Sequence, residues 1–181
     1  MEQLNTVAAL RAARTKLNGR VGFVPTMGAL HEGHVSLIEA SVRECDATVV
    51  SVYVNPTQFD NPADLERYPL SLSRDADIAG DNGATLLFAP SYRDMYPDDF
   101  HYRVDENAFS RELCGAHRPG HFNGVLTVVM KLLNIVTPDI AFFGEKDFQQ
   151  FQLIRGMADA FFLNTEIRSC PTVRESDGLA L

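Results

Sequence analysis

The sequence predicts an α/β protein built on a doubly wound parallel sheet with helices on both faces. Three observations carry that expectation. Short apolar runs alternate with longer segments of helical period almost throughout the chain. One run, Ala47-Thr48-Val49-Val50-Ser51-Val52-Tyr53-Val54, is β-branched and apolar without alternation, as a strand covered on both faces requires. The chain has 181 residues, 45% of them hydrophobic, which suffices for one domain with a real core.

Taken in order, residues 5–17 read as a helix with Leu10 and Ala13 facing inward. Val21–Pro25 reads as the first central strand, and Gly33–Cys45 as a helix with Val35, Ile38 and Val42 on one face. The second central strand, 47–54, ends at Asn55-Pro56. From Asn55 to Pro69, prolines and asparagines without a clear period read as a long loop of the kind that often carries function. Leu70–Asp81 reads as a helix closed by Asn82-Gly83, Thr85–Ala89 as a strand ended by Pro90, and Ser91–Pro97 as a short turn or helix. Residues 98–120 are mixed, with His101–Val104 a candidate short strand. Phe122–Val136 carries an apolar helical stripe that stops before Pro138. Ile140–Phe143 is a strand closed by Gly144, Asp147–Phe162 a helix, and Glu166–Ser169 a last strand.

Composition narrows the function classes. A net charge of −8 and a pI near 5.0 argue against a nucleic-acid partner or an anionic membrane surface, which need a basic face. No apolar run approaches the roughly 18 residues of a membrane span, and Met1-Glu2-Gln3-Leu4-Asn5 lacks a signal pattern. Cys45, Cys114 and Cys170 are odd in number and far apart, as expected of a reduced, cytoplasmic protein. Asn55-Pro56-Thr57 resembles a glycosylation acceptor blocked by its proline. The apolar ending Asp177-Gly178-Leu179-Ala180-Leu181, without a closing element, reads as a truncated chain.

Four segments can carry chemistry. Pro25-Thr26-Met27-Gly28-Ala29-Leu30-His31-Glu32-Gly33-His34 places two glycines and two histidines where a strand turns into a helix. A helix N-terminus favours phosphate, glycines admit close approach of main-chain N–H groups, and imidazoles donate to phosphate oxygens. The histidine spacing does not match the H-E-x-x-H pattern, so no metal site is assigned. The alternative is a capped helix with two surface histidines. Gly144-Glu145-Lys146-Asp147-Phe148-Gln149-Gln150 likewise follows a strand and opens a helix. Both strand ends belong at the carboxyl edge of the sheet, where Lys146 could neutralise phosphate charge and Gln150 could point into the same cleft. Asn55-Pro56-Thr57-Gln58-Phe59 offers Gln58 as donor and acceptor for a substrate with carboxylate and hydroxyl groups. In Arg118-Pro119-Gly120-His121-Phe122-Asn123-Gly124-Val125, Arg118 or His121 could complement an anion, or the loop could simply pack a helix start.

In this order and spacing, the PTMGALHEGH, NPTQF, RPGHFNGV, FFGEKDFQQ and PTVRESDGLAL segments resemble the pantothenate synthetase (pantoate–β-alanine ligase) family over the whole chain. The x-x-G-H element alone would resemble only the wider HIGH-motif nucleotidyltransferases. The resemblance implies a Rossmann-like domain spanning 1–181, with the family's C-terminal domain and its Ser-Ser-Arg-Asn motif missing. It implies ATP-dependent condensation of pantoate with β-alanine through a pantoyl adenylate, with Mg²⁺ as cofactor, and a homodimer. It places ATP contacts at Met27, Gly28, Ala29, Leu30, His31, Glu32, Gly33 and His34, at Gly144, Glu145, Lys146 and Asp147, and at Val173 and Leu181. It places pantoate contacts at Gln58 and Gln150, with Gln58 also near β-alanine. His34, His31 and Lys146 are the implied catalytic groups, with His34 as proton donor. Two other readings stand beside it: a nucleotidyltransferase for another small substrate, and a non-catalytic nucleotide-binding or dimerisation module.

Overall fold

The structure is a computed structural model that describes residues 1–69 and 71–181. Six strands, all parallel, form one sheet: β1 (Glu2–Leu4), β2 (Val21–Thr26), β3 (Ala47–Val52), β4 (Leu86–Phe88), β5 (Ile140–Gly144) and β6 (Glu166–Cys170). Their order is β1-β4-β3-β2-β5-β6. The helices are α1 (Val7–Arg14), α2 (Glu32–Glu44), α3 (Pro62–Glu66), α4 (Leu72–Asp81), α5 (Tyr92–Met95), α6 (Leu113–His117), α7 (His121–Val136) and α8 (Phe148–Ala160). The doubly wound expectation holds, and β4-β3-β2-β5-β6 has the Rossmann order.

The alternation of each strand divides the core in two. Val21 and Phe23, Val49, Phe88 and Phe143 face α1, α7 and α8. Val24, Val50, Leu87, Ile140 and Phe142 face α2 and α4. All six residues of β3 are buried, which is why that run shows no polar alternation. Helix α7 buries twelve of its sixteen residues. Each fully buried Val, Leu or Phe there contributes about 1.5–3 kcal/mol.

The sheet also explains where a ligand fits. β2 pairs with β3 at all six positions, from Val21↔Ala47 to Thr26↔Val52. It pairs with β5 only at Gly22↔Ile140 and Phe23↔Ala141. Beyond those positions the carboxyl ends of β2 and β5 part. This is the topological switch point, where the chain leaves β2 toward one edge and later returns to β5 on the other side. Among the described residues no helix is long and apolar enough to cross a membrane.

Several local expectations are corrected. β1 was not expected; with three residues and only Leu4 buried, it has no alternation to read. It pairs with β4 at Glu2↔Leu86 through Leu4↔Phe88. The first helix is shorter than 5–17, starting after its Thr6 cap, where Oγ1 accepts from Ala9 N at 3.2 Å. His101–Val104 forms no strand. Its N–H groups go elsewhere: His101 N donates to Asp98 O at 3.1 Å and Tyr102 N to Asp98 Oδ2 at 3.0 Å, while Thr127 Oγ1 accepts from Val104 N at 2.9 Å and Asn123 Nδ2 donates to Val104 O at 3.2 Å.

The expected loop 55–69 contains a 3-10 turn, Pro56–Gln58, and helix α3. Its two Asn-Pro pairs are helix starts, with Asn as the cap and Pro in the first turn. The fourth helix starts at Leu72, so the expected start at Leu70 lies outside the described residues. Between 109 and 117 the mixed segment folds into a 3-10 turn and α6. A 3-10 turn, Glu145–Asp147, precedes α8.

Candidate active site

Two cavities open at the parted ends of β2 and β5. The first, about 180 Å³, has an apolar wall of Val125, Val128, Val129 and Leu132 and a polar side formed by Gln58, Gln150, Asp147 and His34. The second, about 140 Å³, lies between His31, Gly33 and His34 on one side and Gly144, Lys146 and Asp147 on the other, with Val173 and Leu181 at its end. Pro25, His34, Phe143, Asp147 and Gln150 line both, so the cavities adjoin.

The turn from Met27 to Leu30 is held by a residue that the sequence did not single out. Asp75 of α4 is 1% exposed. Its carboxylate accepts from Ala29 N at 3.0 Å and Leu30 N at 2.8 Å. Thr26 Oγ1 accepts from Gly28 N at 3.1 Å and donates to Ser51 O at 2.7 Å. Gly28 adopts φ +87°, and a Cβ there would sit 2.8 Å from Asp75 Oδ2. The left-handed backbone and the carboxylate's approach both call for this glycine.

The histidines both cap α2 and face the second cavity. His31 Nδ1 accepts from Gly33 N at 3.1 Å, and His34 Nδ1 accepts from His31 N at 3.4 Å. The two expected alternatives, helix cap and ligand contact, are therefore compatible. The Gly33 N–H donates to His31 in this structure. With both Nδ1 atoms accepting, each neutral ring carries its proton on Nε2, as a donor. The ring centroids are 4.1 Å apart. Burial pushes the His34 pKa down to about 4, and His31 and Lys146 push the same way against Asp75. His31 is also lowered, by burial and then by Lys146. Both rings are neutral near pH 7.

The remaining expected residues divide as follows. Lys146 and Gln150 share the second cavity, as their spacing implied. Met27 lines the first cavity rather than the second. Ala29, Leu30 and Asp75 line another cavity of about 240 Å³, which shares His31 with the second one. Glu32 and Glu145 line neither main cavity; Glu145 Oε1 accepts from Ser169 Oγ at 3.1 Å. Leu181 N donates to Val173 O at 3.0 Å, which holds the ends of the 173–181 segment beside α2.

Arg118 and His121 line neither cavity. Arg118 Nε donates to Asp60 Oδ2 at 2.7 Å, so the anion it complements belongs to the protein. His121 Nδ1 donates to Gln58 O at 2.8 Å. Gly124 lets α7 approach the Pro56–Gln58 turn, where a Cβ would lie 2.4 Å from Thr57 O. Tyr53 also lines the first cavity and was missed; its buried hydroxyl has no hydrogen-bond partner among the described residues.

The family model for pantoate-beta-alanine ligase matches residues 2–181. The chain belongs to the pantoate–β-alanine ligase family. It is 55% identical over 177 residues to the pantothenate synthetase of Bdellovibrio bacteriovorus, covering 98% of this chain and 70% of that protein. It is 51% identical to pantothenate synthetase 1 of Bradyrhizobium diazoefficiens, covering 100% of this chain and 65% of that protein. Among solved structures, the Francisella tularensis pantoate–β-alanine ligase, complexed with β,γ-ATP and β-alanine, superposes with a TM-score of 0.98 at 44% identity. That alignment covers all of this chain and 70% of that one. The chain thus spans roughly two thirds of the length of these ligases.

Proposed function

We propose that this chain carries the ATP and pantoate sites of a ligase that joins pantoate to β-alanine. The observation that carries this reading is the adjoining pair of cavities with His34 on their common wall. The apolar wall of the first cavity suits the dimethyl branch of pantoate, and Gln58 and Gln150 suit its hydroxyl and carboxylate. The second cavity, with two imidazole donors and Lys146, suits the triphosphate of ATP. The Francisella ligase, bound to an ATP species and β-alanine, supports the ATP and β-alanine part of this reading.

In the first step a pantoate carboxylate oxygen attacks the α-phosphorus. An acyl–O–P bond forms, and the bond to pyrophosphate breaks with its electron pair on the leaving oxygen. The protein's task is to align the carboxylate with the phosphorus and to meet the growing charge. The Nε2–H donors of His31 and His34, held by their Nδ1 hydrogen bonds, and the Lys146 ammonium do this. In the second step the β-alanine amine attacks the acyl carbon. The C–N bond forms, the C–O bond to AMP breaks, and the amine proton is released.

Magnesium, if bound with ATP, would supply neutralisation of phosphate charge. The exposed carboxylate of Asp147, which lines both cavities, fits a hard cation held mainly by phosphate oxygens and water. We further propose that residues 1–181 form one domain, that a second domain completes the phosphate clamp, and that the enzyme is a cytoplasmic homodimer. Pantoate-dependent ATP–pyrophosphate exchange and β-alanine-dependent AMP release test the reading. Each should be measured on this chain and on a version extended to the length of the relatives. The extended version should show both activities, with the 181-residue chain slower in each. Exchange without any need for pantoate would overturn the substrate assignment. Equal turnover in the two would overturn the role given to a second domain.

A further inference from the structure

The polar side of the first cavity is set by a buried network behind it. Asn55 is 1% exposed. Its Oδ1 accepts from Tyr96 Oη at 2.9 Å, from Thr57 Oγ1 at 2.9 Å and from Thr57 N at 3.4 Å. Its Nδ2 donates to Gly124 O at 3.2 Å and to Gln58 Oε1 at 3.1 Å. A main-chain N–H can only donate and a carbonyl can only accept, so the Asn55 amide has one permitted orientation.

That orientation decides which end of Gln58 the cavity sees. Oε1 is engaged by Asn55, which leaves Nε2 as the free end. In this structure Nε2 donates to Met27 Sδ at 3.2 Å. A thioether is a weak acceptor that a substrate oxygen readily replaces. Tyr96 lines neither main cavity and is 2% exposed. Its ring is located independently of its hydroxyl, edge-on to Phe100 at 5.4 Å and beneath Lys131 Nζ at 4.6 Å.

We propose that Tyr96 is a positioning residue for substrate binding: its hydroxyl anchors Asn55, which holds the Gln58 amide so that only N–H donors face the first cavity. The cavity thereby selects a small hydroxy acid that brings an acceptor oxygen, carboxylate or hydroxyl, to Gln58. The inference rests on the reading of Gln58 as a substrate contact.

Pantoate titrations of the isotope-labelled 181-residue chain, followed by heteronuclear NMR, test it. The set comprises the wild type, Tyr96→Phe, Gln58→Ala, Gln58→Glu and the Tyr96→Phe/Gln58→Ala double variant. Tyr96→Phe keeps the packed ring and should weaken pantoate binding about 3–10-fold, the size of one lost hydrogen bond, with ATP affinity unchanged and Tm lowered only by the about 2–4 °C that one buried hydrogen bond is worth. Gln58→Glu removes both donors and should lose at least as much as Gln58→Ala. In the double variant the Tyr96 effect should vanish, because the relay has nothing left to orient.

Wild-type pantoate affinity in Tyr96→Phe, with a loss in Gln58→Ala, would overturn the relay and leave the Gln58 contact standing. A Tyr96 effect that adds in full to the Gln58→Ala loss would also overturn it. Undiminished binding in Gln58→Glu would overturn the donor polarity. Undiminished binding in Gln58→Ala, or no saturable binding by the wild type, would overturn the reading of Gln58 itself and the proposal with it.

Discussion

Asp75 Oδ1 accepts a hydrogen bond from the main-chain N–H of Leu30 at 2.8 Å, across 45 residues of sequence. The second oxygen takes the N–H of Ala29, so one buried carboxylate from α4 holds both donors of the turn that leads into the histidines. An N–H pair in a left-handed turn has no regular partner, and a charged acceptor satisfies it more strongly than a neutral one.

Asp75→Asn should therefore loosen this turn. The amide can accept one N–H, but it sets its own NH₂ against the other. A loss of about 2–3 kcal/mol of stability is expected, together with weaker ATP binding. Urea unfolding and calorimetric titration with ATP check both. An unchanged midpoint with unchanged ATP affinity would mean that the turn holds itself.

The histidine environment predicts a pH dependence of stability. Folding lowers the His34 pKa from 6.5 to about 4. Between these values the unfolded chain binds a proton that the folded chain refuses. The stability this group contributes is therefore full above pH 6.5 and lost as pH falls toward 4. After discounting for partial exposure, the loss is on the order of 1–2 kcal/mol. Denaturant midpoints of wild type and His34→Gln, compared at pH 4, 5, 6 and 7, isolate it, and the variant should show the shallower slope. Parallel profiles would remove His34 from the effect.

His34→Ala should lower pantoate-dependent pyrophosphate exchange by about 10² or more in the extended protein. The change removes an Nε2–H donor on the wall shared by the two cavities while leaving the apolar wall intact. Exchange at the wild-type rate would show that the phosphate is held elsewhere.

Gly124→Ala tests the seat of Gln58. The new methyl would meet Thr57 O at 2.4 Å and Gln58 Cα at 2.8 Å, both main-chain atoms that cannot rotate away. Either α7 or the 3-10 turn must shift, at a cost of about 1–3 kcal/mol. Because the turn carries Gln58, pantoate affinity should fall as well. Wild-type stability and affinity together would show that the turn yields freely.

Much of the architecture was legible in the sequence. The β-branched run 47–54 reads as a strand covered on both faces, of which β3 takes 47–52, and the stripe of α7 reads as a buried helix. The alternation of such elements implies a parallel sheet. The same pattern places Pro25–His34 and Gly144–Gln150 at the carboxyl edge of the sheet, so both halves of the candidate site were readable from local signals, whereas their adjacency comes from the order β2-β5. Short or borrowed elements were not. β1 has three residues, too few for a period to show, and 101–104 makes its main-chain hydrogen bonds to Asp98 and to α7 side chains instead of to a strand.

Residue types at fixed offsets from strand ends thus determined the fold class, the turn that opens α2 and the candidate contacts His31, His34, Gln58, Lys146 and Gln150. The tertiary structure alone decided how those groups are held and which atoms they present. Asp75 reaches Leu30 from a different helix, and Tyr96 reaches Asn55 over 41 residues. The histidines turn Nε2 outward because main-chain N–H groups claim Nδ1. Local pattern is set by neighbours along the chain, whereas the polarity of an amide or a ring is set by whichever donor or acceptor packs against it, and packing joins residues that the sequence keeps far apart.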